Sequence, residues 1–355
     1  MLAVPQKVLI HRLGSLGDTA IMMPIFHHLN TIWPDAEKRV MTNFPVAAVA
    51  PPLQTVLGDD NFVDGYFAYP IGTRNPNALL SLAAEVRRWG PDIAIYANEA
   101  RPLAGTLRDG AFLRLCGARR VIGLPFTGSR RRHIFDSATG LYERETSRIA
   151  RALEDLGPID IASQPQKDLC LTDVEKARAR EILSGWDGAG RFMCFSPGTK
   201  QAMKDWTDPK WIAVLEALSA SDPQLGLLVV GAEGDRERST GLIDHWRGPH
   251  LNTCGQISPR ISAAVMAHAT MFLGNDSGPM HLAAAVNTPA VAVFSRHAKP
   301  GIWFPLGDRH RIFYPGLAWS GGTPHVERVA GNETSISSIP ADQVLEACKS
   351  LLQAN

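Results

Sequence analysis

A recurring unit constrains this chain more than any other feature: a short apolar run, a glycine turn, and then a stretch of helical length. Lys7 to Leu13 (KVLIHRL) reads as a buried strand, followed by the turn Gly14 to Gly17 and an apolar helix expected over Asp18 to Leu29. Short apolar runs bounded by turn signals suit strands covered on both faces, as crossover helices cover the strands of a parallel sheet. Further strand-like runs stand at Arg39 to Thr42 and Asp92 to Tyr96, with shorter ones at Tyr66 to Ala68 and Arg120 to Gly123 and a helical pattern at Ala78 to Trp89. Such alternation predicts the α/β class, with a doubly wound parallel sheet.

A second series follows the linker Leu156 to Leu171, where Pro158, Ser163, Gln164 and Pro165 break any periodicity. From Phe192 it runs FMCFS, glycine turn, helix (Pro209 to Ala220), GLLVVG, helices (Arg236 to Trp246, Ser258 to Ala267), MFLGND, helix, AVAVF. At 355 residues the chain is long for one hydrophobic core. The expected organisation is a Rossmann-like domain over 1–165, a second over 166–335, and a C-terminal helix within 336–355 that packs back on the first domain. Ligands of open α/β sheets sit beyond the C-terminal strand ends, so two such edges facing one another would form a cleft.

The formal net charge of +1 supplies no global attraction to nucleic acid or to an anionic membrane, so any such contact needs a local patch. Five scattered cysteines form no CxxC pair, which argues for reduced, structural thiols. The N-terminal apolar run is too short for a signal peptide and no membrane-spanning stretch is present, so a cytoplasmic protein is expected.

Four segments just after strands could carry chemistry. In Gly14-Ser15-Leu16-Gly17-Asp18 the glycines permit close backbone approach; Asp18 reads either as a helix N-cap or as a general base for an attacking hydroxyl. In Gly274-Asn275-Asp276-Ser277-Gly278-Pro279-Met280-His281, a helix start, a hydroxyl and an imidazole converge on what suits a diphosphate; the alternative is a capping Asp276 or Ser277 and a packed His281. Thr199 and Lys204 follow FMCFS, and Lys204 is either a solvated cation or one that meets leaving-group charge. Asp235, after LLVV, suits ribose hydroxyls or a cap equally well. Separately, Arg130, Arg131 and Arg132 form a basic run, either a solvated surface or an acceptor site for a phosphorylated or carboxylated saccharide.

Taken in order, KVLIHRLGSLGDTAIMMPIF, FSPGTKQAMKDWTDPKWIAVLEAL, LVVGAEGDRE and ATMFLGNDSGPMHLAAAVNTPAVAVF resemble the heptosyltransferase family of glycosyltransferases, family 9. The resemblance implies a GT-B fold, with the acceptor on the N-terminal domain and the nucleotide sugar on the C-terminal one. It implies inverting transfer of heptose from ADP-heptose to the lipopolysaccharide core or a related saccharide, without a cofactor. It also maps Asp18 to the base, Thr199 and Lys204 to phosphate contacts, Asp235 to a ribose contact, Ile257 to the base pocket, and Asp276, Ser277, Gly278 and His281 to the donor motif.

No DxD metal loop is evident, since Asp59-Asp60 stands far in sequence from the donor motif, so no metal is expected. The partners expected are a nucleotide-sugar donor and a saccharide or glycolipid acceptor, with no nucleic acid; a peripheral contact with the inner membrane and the oligomeric state stay open. Rival readings are a UDP-sugar epimerase, a non-catalytic nucleotide-sugar-binding protein and a dinucleotide oxidoreductase. Against the last, the first turn lacks GxGxxG spacing.

Overall fold

The computed structural model describes residues 4–44, 53–58, 62–70, 72, 75–316, 325–327 and 335–354; Asp59 and Asp60 lie outside them. The chain divides into two compact units, Met1–Asp136 with Tyr142–Gln166, and Ser137–Leu141 with Lys167–Asn355.

The first unit is built on β1 (Lys7–His11), β2 (Glu37–Asn43), β3 (Gly65–Tyr69), β4 (Ile93–Tyr96) and β5 (Arg120–Ile122). They pair in the order β3-β2-β1-β4-β5, all parallel. The central strand carries an apolar run, Val8, Leu9 and Ile10, that is fully buried, as a strand covered on both faces must be. Strand order reverses between β1 and β4, and His11 pairs with Tyr96 there, so the segments leaving these strands emerge side by side. The single helix expected over Asp18 to Leu29 is instead two, Leu16–Ala20 and Met23–Ile32. Pro24 explains the break, because it has no N–H to donate and its ring crowds the carbonyl four residues back.

Two-residue strands β6 (Phe135–Asp136) and β7 (Leu141–Tyr142) make a separate ribbon. The second unit holds β8 (Phe192–Ser196), β9 (Gly226–Val229), β10 (His250–Asn252), β11 (Met271–Asn275), β12 (Ala290–Val293), β13 (Arg311–Phe313) and β14 (His325–Glu327). Their order is β10-β9-β8-β11-β12-β13-β14, again parallel, with the reversal between β8 and β11. β13 and β14 extend the sheet beyond the strands expected from sequence.

The C-terminal helix, Ala341–Ala354, belongs to the second unit. Its apolar face, Val344, Ala347, Cys348, Leu351 and Leu352, joins the core built from β8, β9 and the helix Asp208–Ser221. The Trp206 indole N–H donates to the Ile339 carbonyl at 3.1 Å, pinning the approach to that helix. The amphipathic pattern of this helix said that it needs an apolar partner, and not which one.

Candidate functional site

At the first sheet's switch point the chain leaving β1 is held from both neighbours. The Gly14 amide donates to Asn43 Oδ1 at 2.8 Å, at the end of β2, and the Leu13 amide to Asn98 Oδ1 at 2.6 Å, just beyond β4. A Cβ on Gly14 would lie 2.5 Å from the Cβ of Asp18, so only glycine lets the turn close over that side chain.

Asp18 is not the N-cap of its helix; Ser15 takes that position. Asp18 Oδ2 accepts from the Ser15 amide at 2.6 Å and from the Ser15 hydroxyl at 2.8 Å, the reach-back half of a capping box. Its other oxygen, Oδ1, stands 3.5 Å from the Arg12 guanidinium, which is wholly buried. Arg12 also donates to the carbonyls of Ala97 and Asp18, both at 2.8 Å. The carboxylate is thus clamped through one oxygen and keeps acceptor capacity on the other, an arrangement able to take a proton.

Sequence reasoning missed Arg12, Asn98 and Glu99. Glu99 follows β4 at the same switch point, and its carboxyl is pushed upward, first by desolvation and then by the Asp18 carboxylate. Asn98 is braced from behind: its side-chain amide donates to His11 Nδ1 at 3.1 Å, and its carbonyl accepts from Arg148 at 2.8 Å. Arg148 is itself locked to buried Glu145 through contacts of 2.6 and 2.7 Å. Burial would raise the Glu145 carboxyl, but hydrogen bonds from Arg148 and His133 reverse this and hold it below its ordinary range. The signal was available, since Asn98 and Glu99 directly follow a recognised strand.

Of the basic run, Arg130 is engaged, donating to Glu154 at 2.7 Å with Asp155 at 3.7 Å, and its amide is capped by Thr127. Arg131 is half-buried and Arg132 exposed, and no ion pair to either is present among the described residues.

The second sheet's switch point gathers most of the other candidates. Lys204 Nζ donates to Asp276 Oδ2 at 2.7 Å, joining the segment after β8 to the one after β11. Asn275 donates to the Pro197 carbonyl at 2.8 Å, tying the same two segments from below. Arg238 braces the Lys204 loop through Asp205 at 2.8 Å and Asp208 at 2.6 Å. Ser277 is the N-cap of the helix Gly278–Ala285, yet its hydroxyl, shielded from solvent, caps nothing and has no hydrogen-bond partner. The first-turn amides of a helix have no partner within it. Here those of Gly278 and Met280, with the positive end of the helix dipole and the Lys204 ammonium close behind, suit an anion.

Asp235 and Gly198 come together as well. A Cβ on Gly198 would lie 2.6 Å from Asp235 Oδ1, so the turn after β8 runs directly beneath that carboxylate. Asp235 is the N-cap of the helix Arg236–Ile243, but its side chain turns back, Oδ2 accepting from the Ala232 amide at 2.9 Å. Oδ1 keeps acceptor capacity for a hydroxyl. Thr199 makes only marginal contacts with Gln201, at 3.4 Å, and Ile257 is half-buried in the segment between β10 and the helix Pro259–Met266. Among the described residues no three His, Cys, Asp or Glu side chains gather as a metal site would require, and no helix is long and apolar enough to cross a membrane.

The chain is 25% identical over 364 residues to lipopolysaccharide heptosyltransferase 3 of Escherichia coli (strain K12), covering 95% of each. Its fold is similar to that of a glycosyl transferase family 9 protein from Veillonella parvula, with a TM-score of 0.75 at 18% identity, covering 100% of this chain and 99% of that one. It is also similar to an E. coli heptosyltransferase solved with ADP, with a TM-score of 0.62 at 17% identity over 97% and 99% of the two chains. The two parallel-sheet units are those of the GT-B fold expected from sequence. Residues 105–320, more than half of the chain, match the profile of glycosyltransferase family 9 (heptosyltransferase), and the chain is therefore a glycosyltransferase belonging to that family.

Proposed function

We propose that this protein is an inverting transferase that moves heptose from ADP-heptose to a hydroxyl of the lipopolysaccharide core or a related saccharide. The observation that carries the donor half is the second switch point, where the Lys204–Asp276 pair lies at the start of the helix Gly278–Ala285. There the donor's diphosphate is held by the first-turn amides, Ser277, Gly278 and His281, with Thr199 contributing its hydroxyl. Asp235 accepts from the ribose and Ile257 lines the adenine pocket. Lys204 exchanges part of its contact with Asp276 for the phosphate oxygens as the leaving group gains charge.

Chemistry is a single displacement. The acceptor oxygen attacks the anomeric carbon, the bond from that carbon to the diphosphate oxygen breaks, and Asp18 takes the acceptor proton through Oδ1. One displacement inverts the configuration. No resident cofactor takes part, and protein groups meet the diphosphate charge. Arg131 and Arg132, together with Arg130 where its pairing allows, bind anionic groups of the acceptor. Support for ADP comes from the E. coli heptosyltransferase solved with it.

Calorimetric titration of the protein with ADP, UDP and GDP tests the donor assignment, with wild type beside His281→Ala. ADP-selective binding weakened in the variant is the expected result. A preference for UDP would redirect the donor, and absence of binding to all three would defeat the proposal.

A further inference from the structure

Asp205, Trp206 and Thr207 separate Lys204 from the helix Asp208–Ser221, and the last of them is strained. Thr207 has φ +79° and ψ +145°, a backbone conformation that a β-branched residue rarely adopts. A threonine at a helix N-cap ordinarily takes extended backbone and lets its hydroxyl accept from the first turn. Thr207 is the N-cap here and does neither, since no side-chain cap is made. A strained residue persists only where its surroundings over-determine it, and two grips flank this one.

The first is a single arginine. Arg238 Nη2 stands 2.8 Å from Asp205 Oδ1 and 2.6 Å from Asp208 Oδ1, and Nε donates to the same Asp208 oxygen at 2.7 Å. Asp205 and Asp208 lie on either side of Thr207, so one guanidinium fixes both ends of the turn. The second grip is Trp206, fully buried, with its indole pinned to the Ile339 carbonyl. The remaining nitrogen of Arg238, Nη1, lies 3.4 Å from the Pro197 carbonyl, so each of its nitrogens faces a protein acceptor. Arg238 also stands three residues after Asp235, on the helix Arg236–Ile243. One side chain thereby ties the segment that carries Lys204 to the helix start that carries Asp235.

We propose that Arg238 is a positioning residue: by gripping Asp205 and Asp208 it holds the Thr207 turn in its strained form, and that form aims Lys204 at Asp276 and at the donor's diphosphate. The inference rests on the donor reading given above, and adds to it the side chain that sets the phosphate contact without making one. Without the grip the turn relaxes toward the extended backbone that threonine prefers, and Lys204, three residues away, moves with it. A lysine on a looser segment gives up more freedom on meeting phosphate, which weakens binding. Glycine adopts the observed conformation without strain, so Thr207→Gly should keep the turn in place even when the grip is gone.

The test is calorimetric titration with ADP, joined to thermal unfolding. Arg238→Gln should weaken ADP binding about tenfold when Lys204 is present, and by no more than about twofold in a Lys204→Ala background, because a positioning residue acts through the group it aims. Adding Thr207→Gly to Arg238→Gln should recover about threefold of that affinity, and Thr207→Gly alone should unfold no earlier than wild type. Unchanged affinity in Arg238→Gln would overturn the proposal. Equal weakening in both backgrounds, or no recovery with glycine, would also overturn it, making Arg238 a direct phosphate ligand or a plain structural tie. So would earlier unfolding of Thr207→Gly, since the turn would then hold no strain; that variant keeps Arg238, so a folding defect in Arg238→Gln does not shelter the proposal. Wild type that binds no ADP, or Lys204→Ala that binds it as tightly as wild type, defeats the donor reading and this inference with it. Failure of the Arg238 and Thr207 variants alone, with Lys204→Ala weakened as expected, defeats only the positioning role.

Discussion

The two switch points are built from the same topology and differ in how their polar groups are held. At the first, the carboxylate and the amide beside it are already held by the protein: Asp18 by Ser15 and Arg12, and Asn98 by Leu13, His11 and Arg148. At the second, donors are left open, since the Ser277 hydroxyl caps nothing and the amides of Gly278 and Met280, in the first turn of Gly278–Ala285, have no helical partner. One edge orients a single carboxylate in advance, while the other is shaped to be completed by an anion. Under the function proposed above the difference has a reason: a base needs orientation before substrate arrives, whereas a diphosphate site can leave its hydrogen bonds to the ligand.

The largest expected effect breaks the first edge. Asp18→Asn keeps the shape and the bond from Ser15 but removes the proton acceptor, and transfer should fall by about 10²–10⁴-fold. ADP affinity measured by calorimetry should hardly change. Full turnover in that variant would leave the first edge a structural cap only.

Smaller, and on the second edge, Lys204→Ala should lower turnover by about 10²–10³-fold and weaken ADP binding as well. It also strands the nearly buried Asp276 carboxylate, at a cost of about 1–3 kcal/mol in thermal or denaturant unfolding. Adding Asp276→Asn should restore much of that stability without restoring transfer. If stability and activity return together, Lys204 serves the fold and not the leaving group.

The last effect touches stability and leaves turnover at neutral pH unchanged, and it sharpens the comparison through pH. Burial pushes the His11 imidazole down from 6.5 to about 4, so it is neutral in the folded protein. The unfolded chain then binds more protons between those values, so stability rises with pH there: it is flat above about 6.5 and lost as pH falls toward about 4. The full loss is on the order of 3 kcal/mol. Denaturant melts across that window should show the slope, and His11→Gln should flatten it. Because a protonated His11 can no longer accept from Asn98, hydrogen exchange should rise first in the first unit. Earlier exchange in the second unit would remove His11 as the acid-sensitive element.

Much of this was legible in the chain. Apolar runs such as VLI and MFL, each followed by a glycine turn and a helix, specified parallel α/β units, because strands covered on both faces tolerate few polar residues. The candidate anion site was legible for the same local reason, glycine and serine standing at a helix start. Tertiary structure alone decided what those segments touch. Lys204 and Asp276 are 72 residues apart and meet only because β8 and β11 are neighbours. The pairing of β1 with β4 likewise brings Asn98 and Glu99 beside Asp18, and the terminal helix finds its core in the second unit. Local pattern sets which face of an element must be covered, since that depends on side-chain spacing along one segment. Strand order and partner choice depend on the summed burial and hydrogen bonding of segments distant in sequence, which no short stretch of residues records.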